Sequence, residues 1–139
     1  MALLVDTGPL YAAADTDDRH HRAVADFLLE TRDVLVVPIS VLPELCYLLG
    51  ERLGHNVEAR VVASLSQGEG SLRVEGLTRE DLSRTAELIS SYSDARIGFV
   101  DASLVAVAER LKIKRVLTLD RRHFGLIRPR HCAAFELLP

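Results

Sequence analysis

Apolar and polar positions along the chain fall into two kinds of segment. Short unbroken apolar runs at Ala2 to Asp6 (ALLVD), Val34 to Val37 and Arg115 to Leu119 (RVLTL) predict buried strands. Leu72 and Val74, alternating with charges, predict a further strand between the second and third of these, and Ala134 to Leu138 (AFELL) predicts a last one. The other segments carry helical spacing. Ala23, Val24, Phe27 and Leu28 mark a helix over Arg19 to Thr31, and Leu42, Leu45, Leu48, Leu49 and Leu53 line one side of the next. Helices are also expected over Val57 to Ser66, from Thr78 to about Tyr92, and over the strongly apolar stretch Val100 to Leu111.

Punctuation supports these bounds. Thr7, Gly8 and Pro9 read as a sharp turn entering a helix, and Asp17 and Asp18 as caps for the helix after it, which Asp33 closes. Ser40 is the expected N-cap of the Leu-rich helix, with Pro43 in its first turn and Gly54 at its end. Gly68 and Gly70 mark a turn, and Thr78 with Asp81 three residues on forms a partial capping box. Strands alternating with helices, the strands themselves nearly all apolar, predict an α/β protein. The expected architecture is a three-layer α/β/α sandwich around a mostly parallel sheet of about five strands, in a single domain over residues 1–139.

Composition narrows the class. With 48% apolar residues and no Trp, the core must be aliphatic. Cys46 and Cys132 have no CxxC or Cys/His spacing and read as reduced thiols of a cytoplasmic protein. The apolar start ends at Asp6, too soon for a secretion signal, and no run approaches the ~20 apolar residues that span a bilayer. A net charge of −3 argues against a protein that simply coats nucleic acid. The charge is uneven, however: Glu109 to Arg130 carries +6 and the remainder −9. That basic stretch reads equally as a phosphate-facing surface or a solvated one.

The acids carry the chemistry. In open parallel sheets, sites form beyond the carboxyl ends of strands. Asp6 ends the first strand and Asp120 follows the fourth, each after an apolar run that makes an unpaired carboxylate costly. Capping of the following helix is the competing explanation for each. Glu44 (VLPELCYLL) and Asp101 (GFVDASLVAVA) lie near helix starts, where the dipole alone favours an acid, but in settings more apolar than that role needs. Four such acids point to one shared pocket. Carboxylates so crowded need a divalent cation, and oxygen ligands suit Mg²⁺ or Mn²⁺. His20, His21, His55, His123 and His131 lack HxH or HExxH spacing, which argues against zinc.

The segments LLVDTGPL (3–10), ISVLPELCYLL (39–49), RIGFVDASLVAVAERL (96–111) and RVLTLDRRHF (115–124) resemble, in order and spacing, the PIN-domain family of the VapC toxin type, over the whole chain. The resemblance implies that Asp6, Glu44, Asp101 and Asp120 are the family's acidic quartet, with Asp6, Asp101 and Asp120 as direct or water-mediated metal ligands. Glu44 is then either a ligand or the residue that orients the water. Thr118 and Thr7 match positions that support the metal shell. The implied activity is an Mg²⁺- or Mn²⁺-dependent endoribonuclease, the toxin half of a VapBC-type pair. It would cleave tRNA or the sarcin–ricin loop of ribosomal RNA, and the form of the last two motifs resembles the subgroup acting on that loop. A homodimer held inactive by a VapB-type antitoxin is also implied, with the helices around residues 40–66 as the candidate surface.

Asp94 is a further candidate for the outer shell, against a turn or cap role. Arg121, Arg122 and His123 are candidates for RNA contact, against a solvated loop. Tyr11, Tyr47 and Tyr92 are too scattered to suggest a base-stacking platform. Two rival functions use the same residues or none of them: a phosphoesterase acting on DNA or small phosphate esters, and a non-catalytic binding module. The intact quartet counts against the second.

Overall fold

The computed structural model describes residues 1–68 and 70–139. Strands β1 (Ala2–Val5), β2 (Val34–Pro38), β3 (Leu72–Glu75), β4 (Arg115–Leu117) and β5 (Glu136–Leu138) form one sheet in the order β3-β2-β1-β4-β5. Every pair is parallel, with Leu3 opposite Leu35 and Leu4 opposite both Val36 and Val116. The sheet expected to be mostly parallel is therefore wholly so. β1, at its centre, is the most apolar: Leu3, Leu4 and Val5 are at most 1% exposed. β3 alternates because it is an edge strand and buries less.

Among the described residues, seven helices connect the strands: α1 (Thr7–Ala14), α2 (His21–Glu30), α3 (Leu42–Leu53), α4 (His55–Gln67), α5 (Arg79–Ser91), α6 (Phe99–Leu111) and α7 (Arg121–Leu126). The strand order runs outward from β1 to β3, then jumps back to β4 and continues the other way. Right-handed crossovers then put α1 to α4 on one face and α5 to α7 on the other, giving the three layers. α6 is buried continuously from Ala102 to Glu109 and packs along α5, while Tyr11, Leu45 and Leu49 form a smaller cluster joining α1 to α3. The reversal between β1 and β4 leaves a crevice at their carboxyl ends.

Three boundaries differ from the expected ones. Thr7, Gly8 and Pro9 are not a separate turn but the first turn of α1, because Asp6 caps it directly, Oδ1 accepting from the Thr7 amide at 2.7 Å. α3 has no Ser40 cap. The chain first makes a 3-10 turn over Ile39–Val41, and the Ser40 hydroxyl lies 2.6 Å from that of Ser103 on α6, tying the two faces together. α2 ends at Glu30, and Asp33 beyond it pairs with Arg115 at the base of the sheet. The sequence pattern does not signal α7, because six residues including a glycine carry too little periodicity to mark a helix.

Candidate functional site

The crevice at the β1/β4 reversal is a cleft of about 630 Å³ lined by Asp6, Thr7, Gly8, Glu44, Arg96, Gly98, Phe99, Val100, Asp101, Leu119, Asp120 and His123. All four acids of the quartet reach it from four elements: Asp6 from the end of β1, Glu44 from the first turn of α3, Asp101 from the first turn of α6, and Asp120 from the N-cap of α7.

Asp6 is the most enclosed, at 6% exposed. Its Oδ1 accepts from the Thr7 amide, and its Oδ2 accepts from Thr118 Oγ1 at 2.8 Å. The same Thr118 oxygen accepts from the Asp120 amide at 3.0 Å, so one buried hydroxyl links the two strand-end acids. Burial raises the pKa of Asp6 above the ordinary carboxylate value; the bonds from Thr118 and Thr7 oppose this, and the charge of Asp120 adds to it. Asp101 is pushed up to about 6, by burial first and then by the charges of Asp6 and Asp120, against the lowering effect of His123. Glu44, at the more exposed rim, is raised by desolvation and by Asp6. The shared cause is a set of like charges brought close together where water is scarce.

His123 completes the cluster. Its Nδ1 lies 2.7 Å from Asp120 Oδ2 and 3.4 Å from Asp101 Oδ2, while Nε2 is 3.2 Å from the Ala95 carbonyl oxygen. A carbonyl only accepts, so Nε2 carries a proton, and in the imidazolium form Nδ1 donates to the carboxylates as well. Ligand atoms of Asp101, Asp120 and His123 all lie within 4.8 Å of one another, close enough to share one ion. Thr7 contributes a second sign of an occupant. It is 3% exposed, lines the cleft, and its Oγ1 is buried without a hydrogen-bond partner. A buried hydroxyl left unpaired is costly unless something binds there. Carboxylates, one imidazole and a free hydroxyl fit a hard divalent cation with part of its water shell.

The remaining candidates divide. Asp94 sits on the exposed 3-10 turn Ser93–Ala95 and does not line the cleft. The Arg121 side chain donates to the Pro139 carbonyl at 2.7 Å, and Arg122 is exposed outside the cleft lining. His123 does line it, as a neighbour of the acids. Arg96 and Phe99, not singled out from the sequence, line it too. His123, expected from the sequence as an RNA contact, stands instead beside Asp120 one helical turn away, a placement that α7 creates; no local signal marks Arg96 or Phe99.

Known proteins share this fold. The model of the PIN domain family matches residues 3–127. The chain is 35% identical, over 99% of its length and 100% of the relative's, to a Mycobacterium tuberculosis protein named Ribonuclease VapC26. Among solved structures it is similar to M. tuberculosis VapC20, described as a sarcin–ricin loop cleaving toxin (TM-score 0.80, 23% identity, covering 87% of this chain and 92% of that one). It is also similar to VapBC2 from Rickettsia felis, solved bound to a promoter DNA fragment (TM-score 0.69, 15% identity, both chains covered in full).

Proposed function

The chain belongs to the PIN domain family, and we propose that it is a metal-dependent endoribonuclease, the toxin component of a VapBC-type toxin–antitoxin pair. The observation that carries this reading is the convergence of Asp6, Glu44, Asp101 and Asp120 on one cleft, beside a buried hydroxyl with no partner. Asp101, Asp120 and Asp6 hold the cation, directly or through water, and Glu44 at the rim is a ligand or orients the attacking water. Thr118 fixes the Asp6 carboxylate, and Thr7 offers its free hydroxyl to the cation's water shell. Mg²⁺ or Mn²⁺ is the ion. When bound, it lowers the pKa of water and offsets charge on the leaving oxygen of the phosphodiester.

The substrate is structured RNA, a tRNA or the ribosomal sarcin–ricin loop, and the loop is favoured by the description of the similar VapC20. Cleavage confined to tRNA anticodon stems would overturn that preference. The work is done in the cytoplasm; no described helix is long and apolar enough to cross a membrane. A VapB-type antitoxin restrains the enzyme, and two copies pair, with α3 and α4 as the surface. Tyr47 and Val62 stand 68% and 44% exposed there.

The test is cleavage of total RNA by the purified protein in Mg²⁺ or Mn²⁺ and in EDTA, beside Asp6→Asn and Asp101→Asn. Discrete, metal-dependent cuts lost in both variants are expected, and matched DNA left intact separates this from a general phosphoesterase. Cuts that survive in both variants would sink the four-acid site. A metal-binding protein that cuts nothing would instead be a binding module.

A further inference from the structure

Phe99 is out of place for a packing residue. It opens α6, two positions before Asp101, and its side chain stands 47% exposed while lining the acidic cleft. Val100 and Asp101 after it are half-buried and burial along α6 begins at Ala102, so the ring stands at the open end of the helix. Gly98 beside it also lines the cleft and has open space where a Cβ would sit. Arg96 lines the same cleft, is exposed, and makes no ion pair among the described residues, although several carboxylates share its surroundings. Its backbone is left-handed, with φ 58°, a conformation that favours glycine.

A cluster of carboxylates repels a phosphate backbone, so a nuclease built on one needs attraction from its rim. An aromatic face that takes any base and one free guanidinium for a phosphate supply it. We propose that Phe99 is the stacking platform for a base adjoining the scissile phosphodiester and that Arg96 holds a neighbouring phosphate. The substrate must then present at least one unstacked nucleotide at the cut, as a loop does and a continuous duplex does not. This rests on the endoribonuclease reading, and it places the platform on a phenylalanine where the scattered tyrosines suggest none.

The chain contains no tryptophan, so F99W places a single indole reporter at the platform. The probe is a mixed-sequence single-stranded RNA dodecamer, titrated in Ca²⁺ so that binding is read without relying on turnover. Saturable quenching of the F99W emission is expected, with F99A weakening the dodecamer Kd by about tenfold to a hundredfold. Arg96→Gly is expected to weaken it too while leaving Tm unchanged or higher, because glycine relaxes the left-handed backbone. A purely structural role would move Tm and affinity down together. Unquenched F99W emission together with wild-type affinity in F99A overturns the proposal. So does an F99A protein that keeps RNA affinity but loses self-association or antitoxin binding, since the ring would then be a protein contact. A wild type that cuts RNA no differently from F99A sinks the platform alone. Loss of the nuclease reading shows separately, as an absence of metal-dependent cleavage in the wild type.

Discussion

At Asp6 and Asp120, capping and site-building use the same carboxylate. One oxygen of each accepts an amide from the helix it begins, Thr7 for Asp6 and His123 for Asp120, while the group as a whole lines the cleft. The two readings that compete in the sequence are thus compatible, since an ionised carboxylate has several lone pairs to share. Asp101 caps nothing, and its raised pKa is a cost to the fold. A carboxyl shifted from 3.8 to about 6 is favoured in its protonated form when folded. The penalty is absent below pH 3.8, grows as pH rises, and is complete above about 6. Asp101→Asn is therefore expected to stabilise the metal-free protein by about 2 kcal/mol at pH 8, with the gain vanishing near pH 4. Urea titrations in EDTA at the two pH values read this, and a variant less stable than wild type at pH 8 would refute it. Excess Mg²⁺ should raise the Tm of the wild type but not of the variant. Thr118→Val leaves Asp6 short of a donor at the same volume. It should lower metal affinity about 10- to 100-fold, with Thr118→Ser close to wild type in a calorimetric titration.

Among the elements, α6 is the one whose placement decides the site, because it carries Asp101 and Phe99 at its first turn. A lattice of ion pairs along its C-terminal half holds it to α5. Arg84 forks onto Glu109 at 2.8 and 3.1 Å, and Arg110 meets Asp81 at 3.0 Å and Glu75 at 3.1 Å. Asp81 is 3% exposed and also closes the capping box of α5 with Thr78. Burial alone would raise its pKa, but the bonds from Arg110 and the Thr78 amide outweigh burial and hold it below the ordinary value. Asp81→Ala leaves Arg110 half-paired and is expected to cost about 2–4 kcal/mol at pH 7. The difference from wild type is full above pH 3.8 and shrinks as pH falls through the lower folded pKa. Chemical denaturation measures it; metal-dependent cleavage per folded molecule should stay within about twofold. The strands and long helices were legible in sequence because periodicity and caps are local. α7, the 3-10 turn before α3 and the Ser40–Ser103 bond were not: the first two are too short to show a period, and the last joins residues whose proximity only the sheet order creates.

For the whole molecule, the basic stretch from Glu109 to Arg130 reads differently once folded. Arg110 is taken up by Asp81 and Glu75, Arg115 by Asp33 and Glu136, Arg130 by Glu87, and Arg121 by the Pro139 carbonyl. Lys112 and Lys114 precede β4, at the end of the sheet opposite the cleft. Half of the eight bases in the stretch are thus engaged in holding the fold, and few cations stand near the acids: Arg96 in the cleft lining and Arg122 two residues after Asp120. Each phosphate neutralised on a single strand contributes about −0.7 to the slope of log K against log salt. With one to three phosphate contacts, RNA binding at fixed Mg²⁺ should therefore show a shallow slope of about −0.7 to −2. The charge reversals Lys112→Glu and Lys114→Glu together should leave slope and cleavage unchanged, while Arg96→Ala should flatten the slope by about 0.7. A slope of about −4 or steeper, or a loss of binding in the double lysine variant, would mean that the substrate wraps onto the far end of the sheet. Affinity would then come from length of contact, whereas the proposed arrangement would concentrate it on one stacked base, one to three phosphates and a cation held by the acids.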